Sequence, residues 1–353
     1  MNAAAAVERI AKAVLYEGYM LYPYRPSAVK NQQRFNFGVV YPQSYSEAQK
    51  GADPWIMQTE CLIQGSAQTA VEVHIRFLQL TSRSIEQQIT TEAGWESSGK
   101  AVFVPVKCLE VDGQKFYSWE EAVEREMSIP LTSLEGLVRQ PAQQLFSLPP
   151  KQWTETLGSD KPAGRLLRAQ QAIDGEIYVA AHPVHGSVHK IVVRVRNATS
   201  LEGEVCVRRE EALTRSLISA HIILSANRGD FVSLLDPPAE LRESATLCRN
   251  LGVFPVLVGE EGRRETMLAC PIILYDYPQI APESAGDLFD GTEIDEILSL
   301  RIMTMTDDEK LEMRQSDERA RQMLERIETL PVENLMRLHG VLRGLRPLRE
   351  DSQ

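Results

Sequence analysis

The sequence predicts an α+β protein: a mainly antiparallel, β-sandwich-like body followed by a small C-terminal helical appendage. Three observations carry this. Residues 70–80, AVEVHIRFLQL, alternate Val71, Val73, Ile75 and Phe77 against Glu72, His74 and Arg76, the two-residue period of a half-buried strand. Asp112-Gly113 stands between strand-like runs at 102–106 and 115–119 and supplies the positive φ angles of a tight hairpin turn. After Gly291 the apolar residues change to helical spacing, with start signals at Thr292 and Thr306.

Taken in order, residues 7–15 place Val7, Ile10, Ala11 and Val14 on one face of a short helix. A tyrosine-rich, Pro-broken entry loop follows, with Tyr22, Tyr24, Arg25, Lys30 and Arg34. Such residues stack on a ligand or line a strand edge or an interface. From 127 to 173 the pattern weakens among Pro130, Pro141, Pro149, Pro150 and Pro162, which reads as a boundary or cross-over. Residues 177–197 return to strand character, and VEVHIRFLQLTS and HKIVVRVRNATS look alike, hinting at two related halves. A further hairpin is expected from 253–258 and 266–277 around Gly259-Glu260-Glu261-Gly262, with Ile272, Ile273 and Leu274 in a central strand.

Thr292 is positioned to cap a helix reaching about Met305, and Thr306 with Glu309 forms a capping box for the next, which carries Ala320, Met323, Leu324 and Ile327 at core spacing. Pro331 suits the first position of a third helix. The expected organisation is therefore 1–127, a β-rich half with a short leading helix; 128–175, a Pro/Gln-rich connection; 176–290, a second β-rich half; and 291–346, a three-helix appendage.

A net charge of -11 argues against phosphate neutralisation, so nucleic acid is not an expected partner. Residues 287–328 hold thirteen acidic and six basic side chains, a surplus that a solvated helix face accounts for. Five cysteines with no CxxC, the closest pair 22 positions apart, read as reduced small hydrophobes in a cytoplasmic protein. The first residues lack the basic-then-apolar order of a secretory signal, and no apolar run approaches a membrane span, so no direct membrane insertion is expected.

Chemistry is not advertised: there is no nucleophile elbow, HExxH, P-loop or dinucleotide fingerprint, so no catalytic residue and no cofactor is assigned. His182, His185 and His189 form the one histidine cluster. They read either as ordinary hairpin residues or as ligands of a metal-binding enzyme or metal carrier, with Gly186 allowing the turn between them. Asp276, Glu283, Asp287, Asp290, Glu293 and Asp295 lack the register of a calcium loop and fit helix capping. Arg228, in the expected turn 227–230, reads as an anion grip or a loop salt bridge.

The strings LYEGYMLYPYRPSAVKNQQRFNFGVVYP (15–42), MQTECL (57–62), IRFLQL (75–80), SLLDPP (233–238) and ILYDYPQIAPESAGDLFDGTEIDEILSLRIMTMTDDEK (273–310) resemble an uncharacterised bacterial family encoded in [NiFe] hydrogenase gene clusters. The resemblance implies a cytoplasmic accessory role in hydrogenase assembly or maturation and supplies no catalytic residues. Together with the missing cysteine pairs it favours a protein that binds a partner polypeptide, a hydrogenase subunit or a maturation factor. Tyr22, Tyr24, Arg25, Tyr275, Tyr277, Glu283 and Asp287 are the expected contact residues.

Overall fold

The computed structural model describes residues 3–17, 19, 24–25, 28, 37–90, 101–158, 162–201, 208–279, 295–316, 318–329 and 331. Its strands are β1 (Ile56–Thr90), β2 (Ala101–Val106), β3 (Cys108–Val111), β4 (Gln114–Tyr117), β5 (Trp119–Ser133), β6 (Ala142–Leu148), β7 (Lys151–Leu157), β8 (Gly164–Gln170), β9 (Ile173–His185), β10 (Val188–Asn197), β11 (Ile218–Val232), β12 (Phe254–Leu257) and β13 (Thr266–Cys270). Its helices are α1 (Ala3–Tyr16), α2 (Gln43–Ala48), α3 (Leu134–Arg139), α4 (Arg209–Leu213), α5 (Arg242–Thr246), α6 (Asp295–Met303), α7 (Asp307–Ser316) and α8 (Glu318–Glu328). The protein is α+β, mostly antiparallel sheet, with a sandwich-like body and small C-terminal helices.

β1 organises the molecule. Along one edge it pairs in turn with β10, β5 and β2, and along the other with β11 and β8, all antiparallel. A 35-residue strand cannot stay straight under the twist of its neighbours, and the register breaks between Gly65 and Ala70. There Thr69 Oγ1 accepts from Ser66 N at 2.8 Å and donates to Arg228 O at 2.5 Å, fastening the bend to β11. Both expected β-rich halves thus contribute to one sheet, ordered β12-β13-β11-β1-β10-β9-β6 along its main path.

Alternation decides what is buried. Val71, Val73, Ile75 and Phe77 point inward with Ile177, Val179, Ile191, Val193, Ile222 and Leu224 from β9, β10 and β11, forming the principal core. Glu72, His74 and Arg76 face outward, where Glu126 accepts from both His74 and Arg76, and Arg76 also reaches Glu8 of α1 at 2.7 Å. Leu78 and Leu80 lie on the other face yet are fully buried, because Leu298, Ile302, Met323, Leu324 and Ile327 of α6 and α8 cover them. Ile10, Ala11 and Val14 lay α1 across Ile223, Val256 and Leu268.

One three-way contact ties α1 to α8. Tyr16 donates its hydroxyl to Glu124 Oε1 at 2.7 Å, Arg319 Nη2 donates to the same oxygen at 2.8 Å, and the Arg319 guanidinium stands 4.1 Å from the Tyr16 ring centre. The Thr306/Glu309 capping box is present: Thr306 N donates to Glu309 Oε2 at 2.9 Å and Glu309 N to Thr306 Oγ1 at 3.3 Å. Ala320, Met323, Leu324 and Ile327 are buried as their spacing requires. The expected cap at Thr292 and the helix after Pro331 lie outside the described residues.

Several expectations are corrected. Residues 128–175, expected as a Pro/Gln-rich connection, are largely sheet: they hold the end of β5, α3, β6, β7, β8 and the start of β9. Pro141, Pro149, Pro150 and Pro162 sit in the links, and Pro130 falls inside β5 at its register shift against β1, so no missing N–H interrupts a regular stretch of ladder. The Asp112-Gly113 turn exists, with φ of 51° and 77°, but it joins β3 to β4, while β2 pairs with β1. Residues 227–230 are no turn; they continue β11 opposite the bend of β1, where Arg228 donates to Gln68 Oε1 at 2.8 Å. β13 stops at Cys270, so Ile272, Ile273 and Leu274 are not in a central strand.

Candidate functional site

The segment after β13 alternates without belonging to the sheet. Ile272 and Leu274 turn inward onto the cluster under α1, whereas Ile273 and Tyr275 turn outward and are 75% and 87% exposed. Two large hydrophobic side chains this exposed, two residues apart, form an apolar ridge on a charged protein.

The ridge is held rigidly by its two ends. Pro271 packs on Gly38, where the backbone has φ 53° and an added Cβ would lie 2.6 Å from Pro271 Cγ. At the far end Asp276 acts as a clasp: Oδ1 accepts from Leu257 N at 2.8 Å and Oδ2 from the Ser233 hydroxyl at 2.5 Å. Tyr277 N adds a bond to Leu257 O at 2.7 Å, so residues 276–277 lie along β12. Ser233 Oγ in turn accepts from Leu235 N and Asp236 N, closing a hydroxyl turn at the start of SLLDPP. SLLDPP and LYDYP, 43 residues apart at Ser233 and Asp276, are thus joined through two side chains.

The expected contact residues divide accordingly. Tyr275 is presented to solvent, but Tyr277 is a partly buried anchor with φ 56°, packed against the principal core. Tyr24 and Arg25 face the C-terminal helices. Tyr24 is buried among the C-terminal helices and receives Ser316 Oγ on its carbonyl, while Arg25 pairs with Glu309 at 2.9 Å and Glu312 at 3.8 Å. Tyr22, Glu283 and Asp287 lie outside the described residues, as do Asp290 and Glu293.

The histidines do not converge. His182 faces Lys190 across the β9/β10 ladder and His189 faces Pro183, so their rings leave the sheet on opposite faces. His185 is exposed beside the Gly186 turn. Among the described residues no three His, Cys, Asp or Glu side chains form a group able to hold a metal ion. Burial pushes the Cys61 thiol well up and those of Cys248 and Cys270 up to about 11, leaving them protonated and poor ligands. Cys61, Cys108, Cys248 and Cys270 are all free, and Cys206 lies outside the described residues. No helix among the described residues is long and apolar enough to cross a membrane.

Sequence reasoning singled out Tyr275 and missed Ile273, Ser233 and the clasp at Asp276. The signal for Ile273 was the even, unbroken apolar run, which is equally the pattern of a buried strand. No protein-family model and no curated protein matches the chain. The likeness to a hydrogenase-cluster family accordingly stands on the quoted strings alone.

Proposed function

We propose that the protein is a non-enzymatic, cytoplasmic accessory factor that binds another polypeptide, with Ile273 and Tyr275 as the contact. The observation that carries this reading is exposure combined with rigidity. A solitary exposed hydrophobe means little, but Tyr275 stands next to a residue whose carboxylate is bonded on both oxygens. A pre-positioned aromatic side chain loses little freedom on docking, and tyrosines of this kind serve as binding hot spots. The family resemblance supplies the partner class, an [NiFe] hydrogenase subunit or maturation factor. Free thiols held protonated fit a reducing compartment. The metal-carrier alternative built on His182, His185 and His189 has no geometric support and is not carried forward.

The test is affinity purification from cells expressing the hydrogenase, comparing the natural chain with an Ile273→Ser, Tyr275→Ala double variant. A hydrogenase or maturation protein is expected to co-purify with the natural chain and to be lost, by about tenfold or more, with the variant, whose melting temperature stays within about 2 °C. Absence of any such partner, with hydrogenase activity intact after deletion of the gene, overturns the reading.

A further inference from the structure

A cavity of about 440 Å³ lies where five segments meet: Gly38 to Tyr41, Asp53 to Met57, Arg209, Gly252 to Phe254, and Pro271. Its size is that of a small-molecule site, and its walls are mixed: Val39, Pro54, Ile56, Met57 and Phe254 form an apolar side, and Asp53, Arg209 and Tyr41 a polar one. Gly38 and Gly252 both have positive φ, 53° and 73°; Pro271 packs on Gly38, whereas nothing stands within 4 Å of where a Cβ of Gly252 would lie.

Two opposite charges stand on this wall. Arg209 Nη1 is 3.7 Å from Asp53 Oδ1, too far for a hydrogen bond, so each ion keeps unspent donors or acceptors. The Arg209 guanidinium is 5.6 Å from the Tyr41 ring centre, and the Tyr41 ring stacks on Tyr45 at 5.2 Å. Tyr41 is almost fully buried, yet its hydroxyl has no hydrogen-bond partner, a condition that native interiors rarely leave unexplained. Burial, with the nearby Asp53 charge, pushes that phenol up to about 12, so it retains its proton at neutral pH.

We propose that this cavity binds a free α-amino acid with a large apolar side chain. The ligand carboxylate would take the N–H fork of Arg209, its ammonium the Asp53 carboxylate, and its side chain the Ile56, Met57 and Phe254 wall. The charge pattern selects the zwitterion: a ligand with one charge engages one ion only and gains nothing from the other. The cavity shares the Gly38 and Pro271 wall with the base of the ridge, but Arg209 and Asp53 lie off the ridge, so substitutions there test the cavity separately from the docking contact.

The test uses the full chain and isothermal titration with L-phenylalanine, L-leucine, phenylacetate, phenethylamine and N-acetylphenylalanine amide. L-Phenylalanine or L-leucine is expected to bind saturably at one per chain, with phenylacetate and phenethylamine at least about tenfold weaker than L-phenylalanine. Arg209→Gln should weaken binding by about tenfold or more, and Asp53→Asn should do so for the amino acids but not for phenylacetate. Arg209 is 54% exposed, so its substitution leaves folding intact, which circular dichroism verifies. Met57→Trp, which fills the cavity, should abolish binding. The proposal falls if neither amino acid gives saturable heat, if phenylacetate binds as tightly as L-phenylalanine, if Arg209→Gln leaves the affinity unchanged, or if the uncharged amide alone binds, which would make the cavity a receptor for a polypeptide side chain.

Discussion

The ring of Phe146 lies directly on Gly175, its cross-strand partner in the β6/β9 ladder, so closely that a Cβ on Gly175 would sit 2.2 Å from Phe146 Cζ. The ring covers a strand position that has no side chain of its own, and its other neighbour is Phe77, 6.1 Å away between ring centres.

Gly175→Ala should therefore destabilise the protein although the added group is one methyl. Phe146 is buried and cannot swing out without disturbing Phe77. The expected loss is about 1–3 kcal/mol, read as a lower urea midpoint with an unchanged slope. A Gly175→Ala, Phe146→Leu pair should recover part of it, since the shorter side chain leaves room for the methyl.

His221 predicts a specific acid sensitivity. The ring is fully buried on β11 opposite Arg76, with Glu8 of α1 and Glu126 of β5 nearby, and Nδ1 donates to Ser219 O at 3.1 Å while Nε2 has no partner. Burial lowers its pKa to about 4 from the ordinary 6.5, because the charged form would be desolvated beside Arg76. The folded value is the depressed one, so the stabilisation is complete above pH 6.5 and is lost as pH falls toward 4, by about 3 kcal/mol in all. His221→Asn keeps a donor for Ser219 O and removes the titration. The difference in stability between variant and natural chain should change across pH 6.5 to 4 and stay flat above pH 7.

Asp276 predicts a local opening. Asparagine has one acceptor oxygen, so Asp276→Asn can serve Leu257 N or the Ser233 hydroxyl but not both. The orphaned donor costs about 1–3 kcal/mol. Hydrogen exchange at Leu257 and Tyr277 should accelerate while exchange in the β1/β10 ladder is unchanged. Equal protection in the variant would show that Asp276 does not hold the ridge.

The sheet was legible where one face is wet and the other dry. Val71 to Phe77 and Ile191 to Val195 declare their period because outward neighbours such as Arg76 and Arg194 are polar. The length of β1 was not legible, since near Leu78 and Leu80 the strand has the principal core on one face and helices far along the chain on the other, which erases the alternation. β6 to β8 hid behind prolines, which fall in the links between elements, and behind glutamines such as Gln143 and Gln144, which lie inside β6 on a half-exposed strand. At the candidate site, Tyr275 stood out by residue type, whereas the clasp depends on Ser233 meeting Asp276, a contact that sequence spacing does not encode.

The length of β1 also bears on how the chain is made. A ribosome releases residues 56–90 well before β11 is finished at Val232, so through that interval the margin of β1 that β11 will cover is unpaired. Pairing at such separations is intrinsically slow, and an unpaired margin attracts other strands. Slowing the ribosome between residues 90 and 218 should therefore cost yield more than slowing it afterwards.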